Sequence, residues 1–281
     1  MYLGKIIRLF KELYSLFFIT DIKTFLFYCW AILSSAPQII KRRDLNPVHQ
    51  KLIGRKYNFK IFNQSVIIGG ENFDRVSELY ARKVYFTFPE FRLKKDMTVV
   101  DLGANVGIFT VLAALCSKRV VAVEAVKEFI EGIERNLKNN NCSDKVSIVW
   151  GIIGGESGMF SDPDIKKKWF GDFPPSIFLM EQLMSEQKIE KIDFLKVDIE
   201  GSEFDLFGKK ENWFKKVHYI AMEMHNSFFS GGVRVLSGDM QVVVRNLTDS
   251  GFKVRLIDLN GRIVNKIMGD AGYLFAENQD F

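Results

Sequence analysis

Acidic side chains placed where apolar runs end are the strongest chemical signal in this sequence. Val99-Val100 leads into Asp101, Val120-Val121-Ala122-Val123 into Glu124, Phe194-Leu195-Lys196-Val197 into Asp198, and Ile220-Ala221-Met222 into Glu223-Met224-His225. An acid that closes a buried run costs desolvation unless its charge is used. Each is therefore a candidate to hold a ligand's hydroxyl or amino group, or to take a proton. Glu200 and Glu203 follow Asp198 at the start of a helical pattern, where the helix dipole also favours acids. Glu223 and His225 alternate and would share one face of a strand. An imidazole with its ordinary pKa of about 6.5 suits the acceptance of a hydroxyl proton at neutral pH. His225, Asp198 and Glu200 are the expected catalytic residues. Asp198, Glu200 and Glu203 offer hard oxygens, but the start of one helix does not converge all three, so no metal is expected.

The turn after Asp101 narrows the choice of ligand. It reads Leu102-Gly103-Ala104-Asn105-Val106-Gly107 before a helical pattern begins at Ile108. Gly103 lets the chain turn sharply, and Gly107 lets a ligand or a helix approach the backbone. A dinucleotide turn places a glycine where Asn105 stands, to admit a pyrophosphate against the helix N-terminus. Asparagine obstructs a diphosphate there and can instead bond an amino-acid carboxylate or amine, as in sites for S-adenosylmethionine. The expected cofactor contacts are Asp101, Gly103, Ala104, Asn105, Gly107 and Ala125, together with Glu124 for the ribose. An NAD(P)-dependent oxidoreductase shares this unit but needs glycine at position 105. A non-catalytic membrane-associated adaptor would keep the fold without the ligand.

The elements that must position these residues alternate strictly. Strands are predicted over 98–102, 119–124, 145–151, 192–198 and 217–224, with helices over 107–117, 126–140, 179–188, 202–208 and 236–250. Such alternation means an α/β fold with a parallel sheet covered on both faces. Two closing strands, near 252–257 and 271–276, have no long helix between them and so form a final antiparallel hairpin. Residues 57–69 read as an earlier hairpin turning at Asn63-Gln64. An irregular stretch, 158–176, carries Lys166-Lys167-Lys168-Trp169-Phe170 and could form a lid over an acceptor.

Composition sets the outer bounds. The 281 residues, 47% hydrophobic and 14% aromatic, suffice for one α/β domain with a large core and an extension. The parts read as a helical extension (1–45), a hairpin and helical lead-in (46–95), and a ligand-binding domain (96–281). Cys29, Cys116 and Cys142 make neither a disulfide framework nor a zinc pattern, which fits a reducing, cytoplasmic setting. Residues 1–60 hold eleven basic and three acidic side chains, a net +8, leaving −3 for the rest of a chain whose net charge is +5. A general nucleic-acid binder spreads its basic face over the domain, so no nucleic-acid partner is expected. The longest apolar run near the start, Phe25 to Ala36, falls short of the roughly 20 residues a spanning helix needs. Residues 1–45 either lie as amphipathic helices on the inner face of a membrane, helped by Lys41-Arg42-Arg43, or pack on the domain or a second copy.

The strings D-x-G-A-N-x-G-x-F from Asp101, V-E-A at Val123, D-F-L-K-V-D-I-E-G-S-E from Asp193 and M-E-M-H from Met222 together resemble the FkbM family of S-adenosylmethionine-dependent methyltransferases. The resemblance covers about residues 57–276, and D-x-E-G-x-E is its most specific part. It implies a Rossmann-like class I methyltransferase fold with a seven-stranded, mostly parallel sheet. It also implies O-methylation of a hydroxyl on a sugar, glycolipid or other secondary metabolite. One departure is Ile177-Phe178-Leu179-Met180-Glu181, where the family often shows a Leu-Asp pair.

Overall fold

The computed structural model describes residues 2–155, 158–230 and 232–281, with side chains from Phe10 onward. It opens with two long helices, α1 (Tyr2–Ile19) and α2 (Ile22–Arg42), and a short α3 (Asn46–Leu52). Asp21, which interrupts the apolar stretch in the sequence, caps α2. Its carboxylate accepts from the Lys23 and Thr24 amides at 2.9 and 3.0 Å. A hairpin of β1 (Lys56–Ile61) and β2 (Gln64–Gly69) follows. Its turn is Phe62-Asn63, both left-handed at φ 49° and 63°, one residue earlier than the sequence reading. Asn63 takes the second left-handed place of the turn, and Gln64 already pairs with Ile61. Then come α4 (Phe73–Val76) and a wider turn over Ser77–Ala81.

The alternating unit runs β3 (Thr98–Leu102), α5 (Ile108–Cys116), β4 (Arg119–Glu124), α6 (Lys127–Asn139) and β5 (Val146–Ile153). Next are α7 (Pro163–Phe170), β6 (Ser176–Phe178), α8 (Met180–Glu186), β7 (Ile192–Val197), α9 (Glu203–Phe207) and β8 (Val217–His225). The chain ends with β9 (Ser227–Ser230), β10 (Val233–Leu236), α10 (Met240–Thr248), β11 (Phe252–Asp258), β12 (Ile263–Val264) and β13 (Ala271–Asn278). The main sheet has the order β12-β11-β13-β8-β7-β3-β4-β5-β6. Strands β3 to β8 pair in parallel, and β13 enters antiparallel between β8 and β11.

The sheet has nine strands rather than seven. The two additional ones are short edge strands, β6 and β12, of three and two residues, whose pairing no alternation in the sequence announces. A small β9–β10 hairpin also takes up the start of the helix expected over 236–250, so α10 begins at Met240. The stretch expected to be irregular contains α7, capped by Asp162.

Two apolar layers cover the sheet. One is formed by Phe86, Phe91, Phe109, Phe194 and Phe275, and continues through Phe59, Phe73 and Tyr28 into the N-terminal helices. The other is built on Leu183, Phe207, Trp213, Phe214 and Leu247. The N-terminal extension thus packs on the domain along one face. The order of β5-β4-β3-β7-β8 reverses direction at β3, and ligands in open α/β sheets lie at such a point, beyond the carboxyl ends of the strands.

Candidate active site

Beyond the ends of β3, β4 and β7 the loops interlock. Gly103 adopts φ +74°, and a Cβ built on it would lie 1.7 Å from the Asp198 carbonyl oxygen. Only glycine permits the loops after β3 and β7 to cross this closely. The Gly103 and Ala104 amides both donate to the Val123 carbonyl at 3.0 Å. Asn105 is left-handed at φ 52°, a conformation that asparagine tolerates better than most residues. Its amide donates to Glu124 Oε2 at 2.6 Å, and its own Oδ1 accepts from the Val106 amide at 2.8 Å. Gly107, at φ +81°, starts α5 against Ile133.

Asp101 has a different place from the one its position suggested. Its carboxylate is buried beneath the turn, 3.1 Å from Lys196 Nζ, and accepts from Thr110 Oγ1 at 2.6 Å. It lines neither of the cavities described below. Lys196, the last residue but one of β7, also donates to the Gly103 carbonyl at 2.6 Å and lies 3.7 Å from Asp198. Burial works against its charge, but Asp101 and Asp198 outweigh that and hold its pKa above the ordinary lysine value. The ion pair fixes the crossing of the two loops from below.

Two cavities open at this edge. The first, about 310 Å³, is walled by Glu124, Ala125, Val126, Phe129, Ile152, Phe160 and Trp169. Trp169 and Phe160 come from the segment expected to cover an acceptor, and the structure sets them on this cavity. The Glu124 carboxylate is buried and accepts from the Asn105 and Val126 amides, one on each oxygen. Burial raises its pKa, against the pull of those two amides. Each oxygen keeps a lone pair for a further donor.

The second cavity, about 260 Å³, is crowded with titratable groups: Glu78, Tyr85, Lys196, Asp198, Glu200, Glu223 and His225. Gly103, Asn105, Asp198, Glu200 and Arg75 line both cavities, which therefore share one wall. His225 Nδ1 lies 3.0 Å from Glu203 Oε1, and that same oxygen accepts the Ile199 amide at 3.2 Å. Its Nε2 faces Glu200 at 3.7 Å, Asp198 at 3.8 Å and Glu223 at 4.0 Å. One ligand atom each from Asp198, Glu200 and His225 lies within 4.8 Å of the others, the spacing of a set that could hold a metal ion.

These acids change what His225 can do. Burial opposes its charge, yet the hydrogen bond to Glu203 and the charges of Glu203, Asp198 and Glu200 push its pKa up to about 10. With that shift it holds a proton at neutral pH rather than accepting one, which weighs against the base role read from its ordinary pKa. Burial and the charge of Asp198 push Glu223 up to about 8. Burial likewise raises Glu200. Glu200 is left-handed at φ 55°, and Gly201 beside it at φ +101° lies so close to Gly158 that a Cβ would meet its Cα at 2.6 Å. The D-I-E-G-S-E string is thus a strained corner that turns Glu200 toward both cavities, with Glu203 holding its base and His225 together.

The structure brings Gly103, Ala104, Asn105, Glu124, Ala125, Asp198, Glu200 and His225 to the cavities and leaves Asp101 and Gly107 behind their walls. Sequence reasoning missed Arg75, Tyr85 and Lys196. Tyr85 donates to Asp198 Oδ2 at 2.9 Å, and burial with the charges of Asp198 and Glu223 raises its pKa. Lys196 had a signal, a lysine within an unbroken apolar strand; Arg75 and Tyr85 lie in an aromatic lead-in with no period to single them out.

The model of the methyltransferase FkbM domain matches residues 101–254, more than half of the chain. No curated protein matches. Similar solved structures include an rRNA methylase from Streptococcus thermophilus, 12% identical, covering 70% of this chain and 95% of that one, with a TM-score of 0.43. Another is a precorrin-6y C5,15-methyltransferase from Geobacter metallireducens, also 12% identical, covering 71% and 88%, with a TM-score of 0.41. A third is TrmK of M. capricolum in complex with S-adenosyl-homocysteine, 6% identical, covering 68% and 66%, with a TM-score of 0.39.

Proposed function

The chain belongs to the FkbM methyltransferase family, and from that premise we propose that it methylates a hydroxyl oxygen on an uncharged acceptor such as a sugar, a glycolipid or another secondary metabolite. The family's cofactor is S-adenosylmethionine, and the residues present fit it. The first cavity is apolar and aromatic on one side, as an adenine requires, with Glu124 able to accept ribose hydroxyls. Its other end meets Gly103, Asn105, Asp198 and Glu200, where two carboxylates favour a cationic sulfonium. When bound, the cofactor supplies an electrophilic methyl group.

The observation that carries the proposal is the shared wall. An acceptor in the second cavity reaches the first across Gly103, Asn105, Asp198 and Glu200. The protein's task is alignment, and positioning of this kind can supply about 7–11 kcal/mol of the barrier. Glu223 is the group placed to take the acceptor proton, because its raised pKa of about 8 lies near the working pH. Imidazolium His225 holds the surrounding carboxylates in place, and Glu203 positions His225. The cavity, at about 260 Å³, is of a size for a small polyol or the end of a glycan, which supports a small-molecule or glycan acceptor.

The test is transfer of labelled methyl from S-adenosylmethionine to a panel of polyhydroxylated acceptors, with the product linkage identified. Label in a base-stable ether supports the reading; label on nitrogen or in a carboxylate ester overturns it. For the active acceptor, kcat/KM should rise through about pH 8. Glu223→Gln should lower kcat roughly 10²–10⁴-fold and remove that rise while sparing cofactor affinity. An unchanged profile removes Glu223 from the chemistry.

A further inference from the structure

The two N-terminal helices carry apolar residues on opposite faces, and only one face is used by the domain. On α1, Leu16 and Ile19 are buried; on α2, Tyr28 and Ala31 are buried with Thr24 and Ser35. Tyr28 stacks on Phe73 at 5.0 Å, and Thr20 bridges to Phe59, so this face is anchored to the hairpin and α4. The outward face holds Phe10, Tyr14, Phe17 and Phe18 on α1, and Ile22, Leu26, Trp30, Leu33 and Ile40 on α2, all exposed. These positions recur mostly at three- and four-residue steps. At 3.6 residues per turn each set forms one stripe about half a turn from the buried set.

A helix with water on its outer side carries polar residues there. Here Tyr14 is 69% and Leu33 75% exposed. The outward aromatics are continuous across the corner between the helices: Tyr14 meets Phe18 at 5.0 Å, Phe18 meets Phe17 at 5.3 Å, and Phe17 meets Phe25 at 5.1 Å. Lys11, Lys23 and Lys41 are exposed beside the stripes, and Arg42 is exposed at the end of α2. The sequence from residue 1 to residue 42 sets only Glu12 and the cap Asp21 against them. Trp30, under the Lys51 ammonium at 5.0 Å, is an aromatic of the kind that sits at a lipid–water boundary.

We propose that this face is an in-plane docking surface for a bilayer containing anionic lipid. Two classes of occupant could cover so much apolar surface. A second copy would meet it with the same basic rim, and in a two-fold contact like charges oppose like charges. An anionic bilayer takes up the apolar stripe and neutralises the rim at once. No helix among the described residues is long and apolar enough to cross a membrane, so the contact lies along the surface. The docking surface does not depend on the methyl-transfer reading; a lipid contact and an inactive enzyme are separable results.

Flotation of the full-length protein with phosphatidylcholine vesicles, with and without phosphatidylglycerol, tests it. The protein should float with the anionic vesicles and do so less as salt rises. The triple variant Leu26→Glu, Trp30→Glu, Leu33→Glu should abolish flotation with melting temperature and cofactor affinity unchanged. Lys23→Glu, Lys41→Glu, Arg42→Glu, which leaves the apolar stripe intact, should weaken it at least tenfold. Absence of flotation, or equal flotation with both vesicles, overturns the proposal. So does a wild-type dimer in sedimentation equilibrium that the Leu26-Trp30-Leu33 variant turns into a monomer, since a second copy then covers the face.

Discussion

The loops after β3 and β7 are built alike and use their first acid in opposite ways. Each follows a largely buried strand with an aspartate at or just past its end, Asp101 or Asp198, and each contains a left-handed non-glycine residue, Asn105 or Glu200, close to a left-handed glycine. Asp101 points down, is wholly buried, and is neutralised by Lys196 at 3.1 Å. Asp198 points up, keeps about a quarter of its side chain exposed at 28%, and shares a cavity with Glu200, Glu223 and His225. One acid holds the crossing of the loops and the other is left for a ligand. The places differ as the uses do: Asp101 is still within β3, paired across with Lys196, whereas Asp198 stands one residue beyond the end of β7.

Removing the crossing should cost most. Gly103→Ala sets a methyl 1.7 Å from the Asp198 carbonyl, and backbone cannot swing aside as a side-chain tip can. The strained φ adds to the clash. The variant should lose both cooperative melting and S-adenosylmethionine binding by calorimetry. Gly171→Ala, also at positive φ but with open space around its Cβ, is the control and should keep both. If Gly103→Ala melts like wild type, the two loops do not interlock.

The next contrast is between the two aspartates themselves. Asp101→Asn leaves Lys196 charged and buried beside an amide, and breaking a buried pair in this way costs about 3–5 kcal/mol. Asp198→Asn leaves a partly exposed site and should cost less than about 1 kcal/mol of stability, yet lower turnover at least tenfold. Denaturant melts and single-turnover rates on the two variants check both halves. Equal stability losses would mean that the two acids share one role.

Half of this contrast can be read from the order of residues alone. Alternation of apolar runs with helical patterns dictates the parallel core, since a parallel strand buried on both faces has no other way to read. The site loops are legible because Gly103, Gly107 and Gly201 stand where the chain turns, next to acids that a buried strand would not otherwise end on. What escapes has physical reasons. Strand direction shows that Asp101 reaches the sheet edge, but only the Lys196 side chain decides that it turns inward. A histidine's pKa follows the charges around it, and of the four acids near His225 only Glu223 adjoins it in the sequence; Asp198, Glu200 and Glu203 come together from the loop after β7. Arg75 and Tyr85 enter from a segment whose irregular turns carry no period, and β6 and β12 are too short to alternate.

The last way to separate the loops is by pH. The Asp101–Lys196 pair is buried, with the lysine raised above its ordinary value, so its contribution should stay level between about pH 6 and 9. The second loop should not stay level. His225 has a folded pKa of about 10, above its unfolded value, so its contribution to stability is fully present below about pH 6.5 and is lost as pH rises toward 10. Glu223, raised to about 8, adds a loss of the same sign, because the unfolded chain releases that proton near pH 4.5 while the folded one keeps it. Melting temperature should therefore decline from pH 6.5 to 10. Glu203→Gln, which removes the nearest charge from His225, should be less stable at pH 6.5 and shallower in its decline. A variant whose decline matches the wild type would show that Glu203 does not hold the proton on His225, and the positioning role assigned to it would fall.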